Sequence, residues 1–323
     1  MSDRSGSVGR VQVETTAEID ELERYRSALT GYCYRMLGSP FEAEDAVQET
    51  LVRAWRAYDR FEGRSSVKSW LFRIATNVCT DMATGQQRRA RPMDLGPALT
   101  AGSPIGAPLP EPTWLLPIPD ARVVPDPAEA AVARESIRLA FVAALQHLPP
   151  KQRAVLILRE VLCWPAQEVA ELLDTTVASV NSALQRGRAT LAQVDAAASD
   201  PLDPDDDVQR ELLARYVDAF ERYDMEALTA VLHEDATQNM PPLDMWVRGR
   251  DEILAFMAGP GIHCVGSRLI ATEANGMPAY GQYRTTGPWA LHVLEVTGGR
   301  IMGIHSFLDV ERLFPLFGLP DHL

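Results

Sequence analysis

The chain has few cysteines, no long apolar run and no excess of positive charge. Its four cysteines, Cys33, Cys79, Cys163 and Cys264, form no Cys-x-x-Cys pair and have no neighbouring histidine at metal-ligand spacing. This pattern excludes a zinc ribbon or a disulfide scaffold, and it predicts reduced core thiols. No stretch is long and apolar enough for a transmembrane helix, and the first residues lack a signal-peptide core, so a cytoplasmic protein without a membrane partner is expected.

The net charge of −13 excludes a protein that coats nucleic acid through bulk positive charge. Positive charge is instead concentrated locally at Arg88, Arg89 and Arg91, whereas residues 200–207 are rich in aspartate. Any contact with DNA must therefore be local. The length of 323 residues allows two or three domains.

Composition and periodicity divide the chain into segments. Residues 1–17 are expected to form a polar tail. The stretch Trp114–Pro119 is too apolar for a free spacer, so we expect it to dock on another part of the protein. After residue 208, helices are followed by strand signals with hairpin turns at Asn275-Gly276 and Gly298-Gly299, which predicts an α+β domain with an antiparallel sheet. The predicted segments are helical 18–91, a Pro-rich linker 92–127, helical 128–195, an acidic linker 196–207, and α+β 208–323.

Helix boundaries can be placed in the first helical segment. Gly38 is expected to stop one helix, and Ser39-Pro40-Phe41-Glu42 to start the next with an N-cap, a proline at the first position and a capping-box glutamate. An apolar stripe that includes Trp55 continues this second helix. A third helix is predicted from Val67 and is expected to run on towards Arg88.

Residues 164–188 have the pattern of a helix-turn-helix. Pro165 can start the first helix and Thr176 can cap the second, whose apolar positions continue through Leu184 and Leu191 to Val194. The other face carries side chains that can reach bases and phosphates in a major groove. A helical hairpin with a merely polar outer face is the alternative. The polar residues are Ser179, Asn181, Ser182, Gln185, Arg186 and Arg188.

Three motifs in order resemble the extracytoplasmic-function (ECF) sigma factors of the sigma-70 family. Asp45–Thr50 with Arg53-Ala54-Trp55 is similar to that family's polymerase-binding helix, and Ser69–Asn77 to the segment that opens and reads the −10 promoter element. Leu148–Val155 resembles the opening of the C-terminal sigma module. Residues 208–323 look like a SnoaL-like domain, a cone-shaped α+β fold, as in sigma-factor subfamilies that carry this domain at the C-terminus.

The resemblance implies a multidomain protein, with two all-α sigma modules and a C-terminal α+β SnoaL-like domain. It also implies core RNA polymerase and promoter DNA as partners. The residues it assigns to core polymerase are Asp45, Gln48, Glu49 and Trp55. Those assigned to the −10 element are Trp70, Asn77, Asp81, Arg88 and Arg89. Those assigned to the −35 element are Thr176, Ser179, Asn181, Ser182, Gln185, Arg186 and Arg188.

Several assignments have competing interpretations. Trp70 is a core residue by helical periodicity, and Asp81 could be a helix cap. Asn181 and Ala183 stand where many family members have arginine, so the promoter sequence cannot be transferred from them. The linker is expected, from the family, to run through the polymerase cleft, but Trp114, Leu116 and Ile118 could instead pack on the SnoaL-like domain.

The C-terminal domain is expected to regulate the sigma modules in cis rather than to be an enzyme. Its acid–base candidates, His233, Asp235, His292 and His305, are dispersed, so no catalytic residue, metal or cofactor is predicted. The alternatives are a regulator that binds duplex DNA without polymerase, and a DNA-binding module fused to a small-molecule-binding or catalytic domain. A pocket for a ligand of unknown identity is expected near Met240, Trp246, Tyr283, His292 and His305.

Overall fold

The structure, a computed structural model, describes residues 19–123, 130–193, 200, 202–203 and 206–323. The expected polar tail at 1–17, Val194 and most of the linker 196–207 lie outside the described residues. The chain divides into two units. The first takes residues up to 86, 121–130 and 144–195, and the second takes 87–120, 131–143 and 196–323.

Three helices build the N-terminal part of the first unit. Gly38, with φ of 75°, ends α1, and the Ser39 hydroxyl accepts a hydrogen bond from the Glu42 backbone N–H, so α2 starts as predicted. The rings of Tyr32 and Phe72 pack 5.2 Å apart in the core. The third helix does not continue to Arg88, because it ends in the turn before Gly85. The bounds are α1 Arg26–Leu37, α2 Pro40–Ala57 and α3 Val67–Ala83.

The second half of the first unit contains the predicted helix-turn-helix. The Thr176 hydroxyl accepts from the Ser179 backbone N–H at 3.1 Å, which caps the second helix as expected. Pro165 is the N-cap of the first helix rather than its first residue. Asp174 takes a positive φ of 50° in the turn. In this part of the first unit the bounds are α6 Pro150–Leu156 with a π-helical turn at Ile157–Val161, α7 Ala166–Leu172 and α8 Val177–Leu191. Two helices precede them in the sequence, α4 Ala130–Ile137 and α5 Leu139–Leu145, and most of their residues belong to the second unit.

A six-stranded sheet in the order β2-β1-β6-β5-β4-β3 is the framework of the second unit. The sheet is mixed rather than antiparallel, because β1 pairs in parallel with β6. Neither β1 nor β2 was predicted, since β1 is mostly polar and has a single β-branched residue, Thr237. The bounds are β1 Leu232–Asn239, β2 Trp246–Arg248, β3 Arg268–Ala274, β4 Met277–Arg284, β5 Gly287–Thr297 and β6 Arg300–Phe307.

Helices cover this sheet and complete a core that includes Tyr216, Phe220 and Phe256. A 3₁₀ helix, Pro260–Cys264, precedes β3, which begins at Arg268. The hairpin turns at Asn275-Gly276 and Gly298-Gly299 are formed as predicted. The helices are α9 Asp207–Arg222, α10 Met225–Val231, α11 Arg250–Ala258 and α12 Val310–Leu316.

The linker segment 92–120 belongs to the second unit. Trp114 is only 1% exposed, and Leu116 and Ile118 are also buried. The backbone N–H of Leu99 donates to the Trp246 carbonyl at 2.8 Å, and that of Leu109 donates to the Pro242 carbonyl at 2.9 Å. The expectation that the apolar middle of the linker docks is therefore correct, and its partner is the C-terminal domain.

The β3–β4 turn holds the end of the linker. Asn275 is fully buried; its Oδ1 accepts from the Ile118 N–H at 2.9 Å, and its Nδ2 donates to the Ile137 carbonyl at 2.5 Å. The Gly276 N–H donates to Asp120 Oδ1 at 2.8 Å. A Cβ atom at Gly276 would lie 2.8 Å from the Arg134 carbonyl oxygen, so only glycine fits this position. One turn thus binds both the linker and α4.

Burial raises the pKa of Asp120 to about 6. The Gly276 N–H and Arg134 oppose this rise, and Glu273 adds to it. The folded protein therefore retains the Asp120 proton at a pH where the unfolded chain has lost it. Between the unfolded pKa near 4 and the folded pKa near 6, this residue's contribution to the free energy of unfolding falls as pH rises, and above that window the loss is complete.

We predict that Asp120→Asn stabilises the second unit at neutral pH. The amide still accepts from the Gly276 N–H but does not bury a charge. Its advantage over wild type should grow from near zero at pH 4 to about 1–3 kcal/mol above pH 7, measured by urea unfolding across this range. Asp244→Asn, at an exposed position, is the control. A stability difference that does not change with pH would contradict the assignment.

Candidate functional site

The exposed face of α2 carries acidic side chains in its first half and a tryptophan near its end, with Val52 and Arg53 between them. Asp45, Gln48 and Glu49 point to solvent, and Trp55 follows two turns later with 48% of its surface exposed. The opposite face of the helix, which includes Ala46 and Val47, is buried. An exposed tryptophan beside carboxylates is typical of a protein-binding surface.

Trp55 is not part of the apolar core stripe in which periodicity placed it. The preceding residue, Ala54, is fully buried. Because successive side chains of a helix point in directions about 100° apart, one position faces the core and the next faces solvent. Glu49 pairs with Arg53 at 2.6 Å, one helical turn along the same surface. All four residues expected to contact polymerase therefore share one accessible face.

The outward face of α3 carries Arg73, Asn77 and Asp81 at four-residue spacing. Asn77 and Asp81 lie within the helix, which continues to Ala83, rather than at a break in it. Asp81 is an exposed residue of the last turn and does not cap the start of a helix. Their side chains can present amide and carboxylate groups to a nucleobase edge.

Trp70 lies at the other end of α3 and is half-buried. Its ring stacks on Phe61 at 4.8 Å with an interplanar angle of 28°, and Tyr58 lies 6.3 Å away. These three residues form an aromatic patch that is partly open to solvent. The patch combines the packing role that periodicity predicted with a surface on which a base can stack.

Two arginines expected to contact the −10 element, Arg88 and Arg89, follow α3 in the sequence. Arg89 is 4% exposed, and its Nη1 donates to the Trp114 carbonyl at 2.6 Å and to Glu111 Oε1 at 3.1 Å. A phosphate contact by Arg89 is therefore excluded in this conformation, because its guanidinium is buried against the linker. Arg88 is half-buried, and both arginines belong to the second unit.

The polar face of α8 is accessible at all the positions expected to read DNA except Ser182, which is half-buried. Arg186 donates to the Ser182 hydroxyl at 2.6 Å, and Arg188 pairs with Glu160 at 2.6 Å. These exposed contacts are weak and can be exchanged for phosphates. Asn181 and Gln185 point outward from a helix whose buried positions are Val180, Leu184 and Gly187.

Residues of α3 and α8 line one cleft of about 800 Å³ within the first unit. Asn77 and Arg73 lie on one wall, and Ser179, Ala183 and Arg186 on the other. Candidate −10 and −35 side chains therefore face the same space. A cleft of this volume is too small to hold a DNA duplex, so DNA cannot occupy both surfaces while they face each other in this way.

Arg73 is the main polar link across this cleft. Its Nε donates to the Leu172 carbonyl at 3.0 Å, and its Nη2 donates to the Glu171 carbonyl. These oxygens lie at the C-terminal end of α7, where a cation is favoured by the helix dipole. Ser69 adds a hydrogen bond of 2.6 Å to Glu168. Sequence reasoning did not select Arg73, although its place on the Asn77 face gave a signal.

A buried arginine forms a second link within the first unit. Arg153 donates to the Met36 carbonyl and, at 2.7 Å, to Gln146 Oε1. Burial lowers its pKa to about 10, so it stays charged at physiological pH. A separate aromatic contact also joins α3 to the helix-turn-helix, since the rings of Phe72 and Trp164 pack 5.1 Å apart.

The second unit encloses a cavity of about 250 Å³. Its floor is formed by side chains from four neighbouring strands, Gln238, Ser306, His292 and Gln282, and Arg284 and Trp289 lie in its wall. Burial lowers the pKa of His292 to about 4, so this imidazole is neutral at physiological pH. The remaining wall is mostly apolar and includes Phe220, Met240, Leu243, Phe256, Met257 and Leu308.

The cavity contains only part of the pocket expected from sequence. Met240 and His292 line it, whereas Trp246, Tyr283 and His305 do not. Tyr283 donates to the Pro320 carbonyl, and the Trp246 indole donates to the Gly96 carbonyl. The prediction of Tyr283 was wrong because successive residues of a strand point to opposite faces of the sheet. Gln282 and Arg284 share the cavity face of β4, and Tyr283 between them points away.

His305 also lies away from the cavity, in a buried group with Glu295 and Asn239. Its Nε2 is 3.1 Å from Glu295 Oε1, and its Nδ1 is 2.7 Å from Asn239 Nδ2. Burial opposes the ionisation of Glu295, but His305, Arg91 and Arg138 together hold its pKa below the ordinary value. The four acid–base candidates thus do not converge, since His292 faces the cavity while His233 and Asp235 lie at β1.

The four cysteine thiols differ in their exposure. Cys33 and Cys79 are buried as expected, but Cys163 is exposed and Cys264 is half-buried in the cavity wall. Within the described ranges, no group of three histidine, cysteine or carboxylate side chains could hold a metal ion. No helix among those same residues is long and apolar enough to cross a membrane.

A helical module with an acidic aromatic face, a helix-turn-helix and an α+β domain follow one another along the chain. This chain belongs to the ECF RNA polymerase sigma factors. The family model described as Sigma-70 region 2 matches residues 22–89, that of Sigma-70, region 4 matches 138–191, and that of the SnoaL-like domain matches 213–304.

Two mycobacterial sigma factors are similar over most of their length. ECF RNA polymerase sigma factor SigG of Mycobacterium tuberculosis H37Rv is 46% identical over 311 residues, which cover 93% of this chain and 83% of that protein. SigJ of the same strain is 28% identical, covering 91% and 93%. The crystal structure of M. tuberculosis SigJ matches 94% of this chain and 100% of that chain with a TM-score of 0.60 at 23% identity, which is a likeness of fold.

Proposed function

We propose that this chain acts as a sigma subunit that binds core RNA polymerase and directs initiation at a specific set of promoters. The observation that carries the proposal is the exposed stripe Asp45–Trp55 on α2, in the same chain as a helix-turn-helix. A repressor of duplex DNA needs the second feature but not the first. The protein works in the cytoplasm, where polymerase is, and is not itself an enzyme.

The proposed polymerase contact consists of Asp45, Gln48, Glu49 and Trp55. Their carboxylates can pair with basic groups on a partner helix, while the Trp55 ring supplies apolar area. Burial of the opposite face of α2 means that this stripe can be changed without altering the core. Binding and folding can therefore be tested separately.

We predict that Asp45→Lys/Glu49→Lys abolishes holoenzyme formation. Two charge reversals at an interface should weaken binding by well over tenfold, measured by fluorescence anisotropy of labelled protein with purified core polymerase. Asp59→Lys/Glu62→Lys, at exposed positions beyond α2, makes the same charge change as a control. Unchanged binding by the folded Asp45/Glu49 variant would exclude this surface.

The proposed DNA contacts lie on α3 and α8. Trp70, Asn77 and Asp81 would receive the −10 element, with Arg88 contributing to phosphate binding, and Arg89 is omitted because it is buried. On α8, Ser179, Asn181, Ser182 and Gln185 would read the −35 bases, with Thr176 near the backbone. Arg186 and Arg188 would contact phosphates.

We predict different effects from Asn181→Ala and Arg188→Ala in the holoenzyme. Loss of the Asn181 amide should relax the preference at one −35 position by about 1–3 kcal/mol. Loss of Arg188 should weaken all sites equally and reduce the salt dependence of binding. Competition binding with single-base promoter variants at several salt concentrations separates the two. The reverse pattern would mean that α8 is oriented differently on DNA.

The compact first unit is proposed as a resting form. The Arg73 hydrogen bonds hold α3 against α7, and residues from both readers line one cleft. For a promoter to be read at both elements, this contact must separate, and polymerase binding would supply the free energy. The free chain should therefore bind promoter DNA weakly.

The C-terminal domain is proposed to regulate the sigma modules in cis through the linker. Its unit includes residues 87–120, most of which lie between the two modules in the sequence, and residues 131–143, which lie at the start of the second module. Removal of 208–323 would expose Trp114 and Ile118, so a truncation also damages the linker. A point change at the Asn275 turn tests the coupling with less disturbance.

We predict that Asn275→Ala changes promoter activity several-fold in one direction. The alanine leaves the Ile118 N–H and the Ile137 carbonyl without their side-chain partners, which should release the linker end. In vitro transcription with saturating core polymerase measures the effect, and Thr286→Ala, in the exposed β4–β5 turn, is the control. Equal transcription by both variants and wild type would contradict regulation through this turn.

A further inference from the structure

The cavity of the second unit contains buried polar atoms that the protein itself does not satisfy. Gln238 Oε1 and Ser306 Oγ have no hydrogen-bond partner, although both residues lie on the cavity floor and are more than nine-tenths buried. An unsatisfied buried polar atom destabilises the folded state, and folded proteins keep few of them. Gln238 Oε1 can only accept, and Ser306 Oγ can donate or accept, so a hydroxyl group would satisfy both.

The neighbouring floor residues are already paired. His292 Nε2 lies 2.9 Å from Gln282 Oε1, and Gln282 Nε2 donates to Ser267 Oγ at 2.9 Å. These bonds fix the two side chains, so the unsatisfied atoms are confined to the Gln238–Ser306 part of the floor. A ligand hydroxyl there would meet a rigid site with a neutral histidine beside it.

The wall of the cavity adds a cation without a carboxylate partner. The Arg284 guanidinium stacks 3.3 Å from the centre of the Trp289 ring, and Nη2 contacts Cys264 Sγ at 3.2 Å. Its Nε is buried without an acceptor, and no carboxylate of the described chain forms an ion pair with it. A guanidinium with free donors in an otherwise apolar wall suits a carboxylate.

We propose that this cavity binds a small hydroxy acid, with its hydroxyl group at Gln238 and Ser306, an apolar body between, and its carboxylate at Arg284. The volume of about 250 Å³ lies just under the smallest common ligand pockets of about 300 Å³, which limits the molecule to roughly 10–15 non-hydrogen atoms. The apolar wall favours an aromatic or branched body.

The linker forms part of this site. Ile105 lines the cavity while 40% of its surface stays exposed. The strap on which it lies, residues 96–109, is held to the domain at both ends, by the Leu99–Trp246 and Leu109–Pro242 hydrogen bonds. Because Ile105 lines the cavity and is also exposed at the surface, we expect a ligand that enters or leaves to displace it. Transmission to the sigma modules rests on the proposed cis regulation, whereas binding itself does not.

Three matched probes test the proposal on the full chain by ligand-observed NMR titration. They are 3-(4-hydroxyphenyl)propanoate, 3-phenylpropanoate, which lacks the hydroxyl group, and 4-propylphenol, which lacks the carboxylate. The first should bind most tightly, and each loss should weaken binding about 5–20-fold. No binding by any probe, or equal binding by all three, would overturn the proposed chemistry.

Variants locate the two polar contacts. Ser306→Ala should weaken the hydroxylated acid about tenfold and leave 3-phenylpropanoate unchanged, while the free protein becomes no less stable, because an unsatisfied buried hydroxyl is removed. Arg284→Gln should weaken both acids and leave 4-propylphenol unchanged. Thr285→Ala, next to Arg284 but exposed, is the control. A uniform loss for all probes would indicate a packing role instead and refute the site.

The contact between Ile105 of the linker and the ligand is tested by association kinetics and proteolysis. Ile105→Gly should speed probe association several-fold without changing the order of affinities, and bound probe should increase proteolysis within residues 100–107. An unchanged association rate would mean that Ile105 does not lie on the entry route.

The ligand-binding proposal and the proposed sigma function can fail independently. Because holoenzyme formation is measured without probe, failure of ligand binding leaves the proposed sigma function intact, and failure of holoenzyme formation leaves the cavity result intact.

Discussion

The backbone hydrogen-bonding needs of the linker are the constraint on which the second unit depends. A segment rich in proline and glycine cannot satisfy its own N–H and carbonyl groups when it is buried. The C-terminal domain supplies the partners, at Trp246, Pro242 and above all Asn275, whose amide joins Ile118 to Ile137. The linker is consequently part of a folded domain, and that domain has physical access to the segment between the sigma modules.

The first unit is held together by a different kind of contact. Arg73 and Arg153 donate mainly to backbone carbonyls, at the end of α7 and at Met36. Such contacts give hydrogen-bond donors to the free carbonyl groups at helix ends, and they compensate the buried arginine charge without an ion-pair network. They also bring the proposed −10 and −35 surfaces to one cleft. If the compact first unit is the resting form, as proposed, these contacts have to separate when promoter DNA is engaged.

Local signals in the sequence predicted helix ends well, because Gly38, Ser39 and Thr176 act through their own backbone conformation or side chain. Features that depend on tertiary packing, such as which side chain is exposed and which distant partner it contacts, were not predictable from these local signals. Nothing local distinguishes exposed Trp55 from buried Ala54, or shows that Arg89 turns towards the Trp114 carbonyl. The polar strand β1 is stabilised by parallel pairing with β6, a partner nearly seventy residues away in the sequence. Of the residues that line the cavity, Met240 and His292 were predicted from the sequence. Gln282 and Arg284 were not, because their place on the cavity face follows only from the alternation of side chains along β4.

Amide hydrogen exchange of the full chain tests the central claim, that the linker folds as part of the C-terminal domain. The N–H groups of Leu99, Leu109 and Ile118 should exchange as slowly as those of the sheet and open together with it, and in Asn275→Ala the protection of Ile118 should fall by at least tenfold. Exchange of the linker at the rate of an unstructured peptide, while the sheet remains protected, would contradict the account.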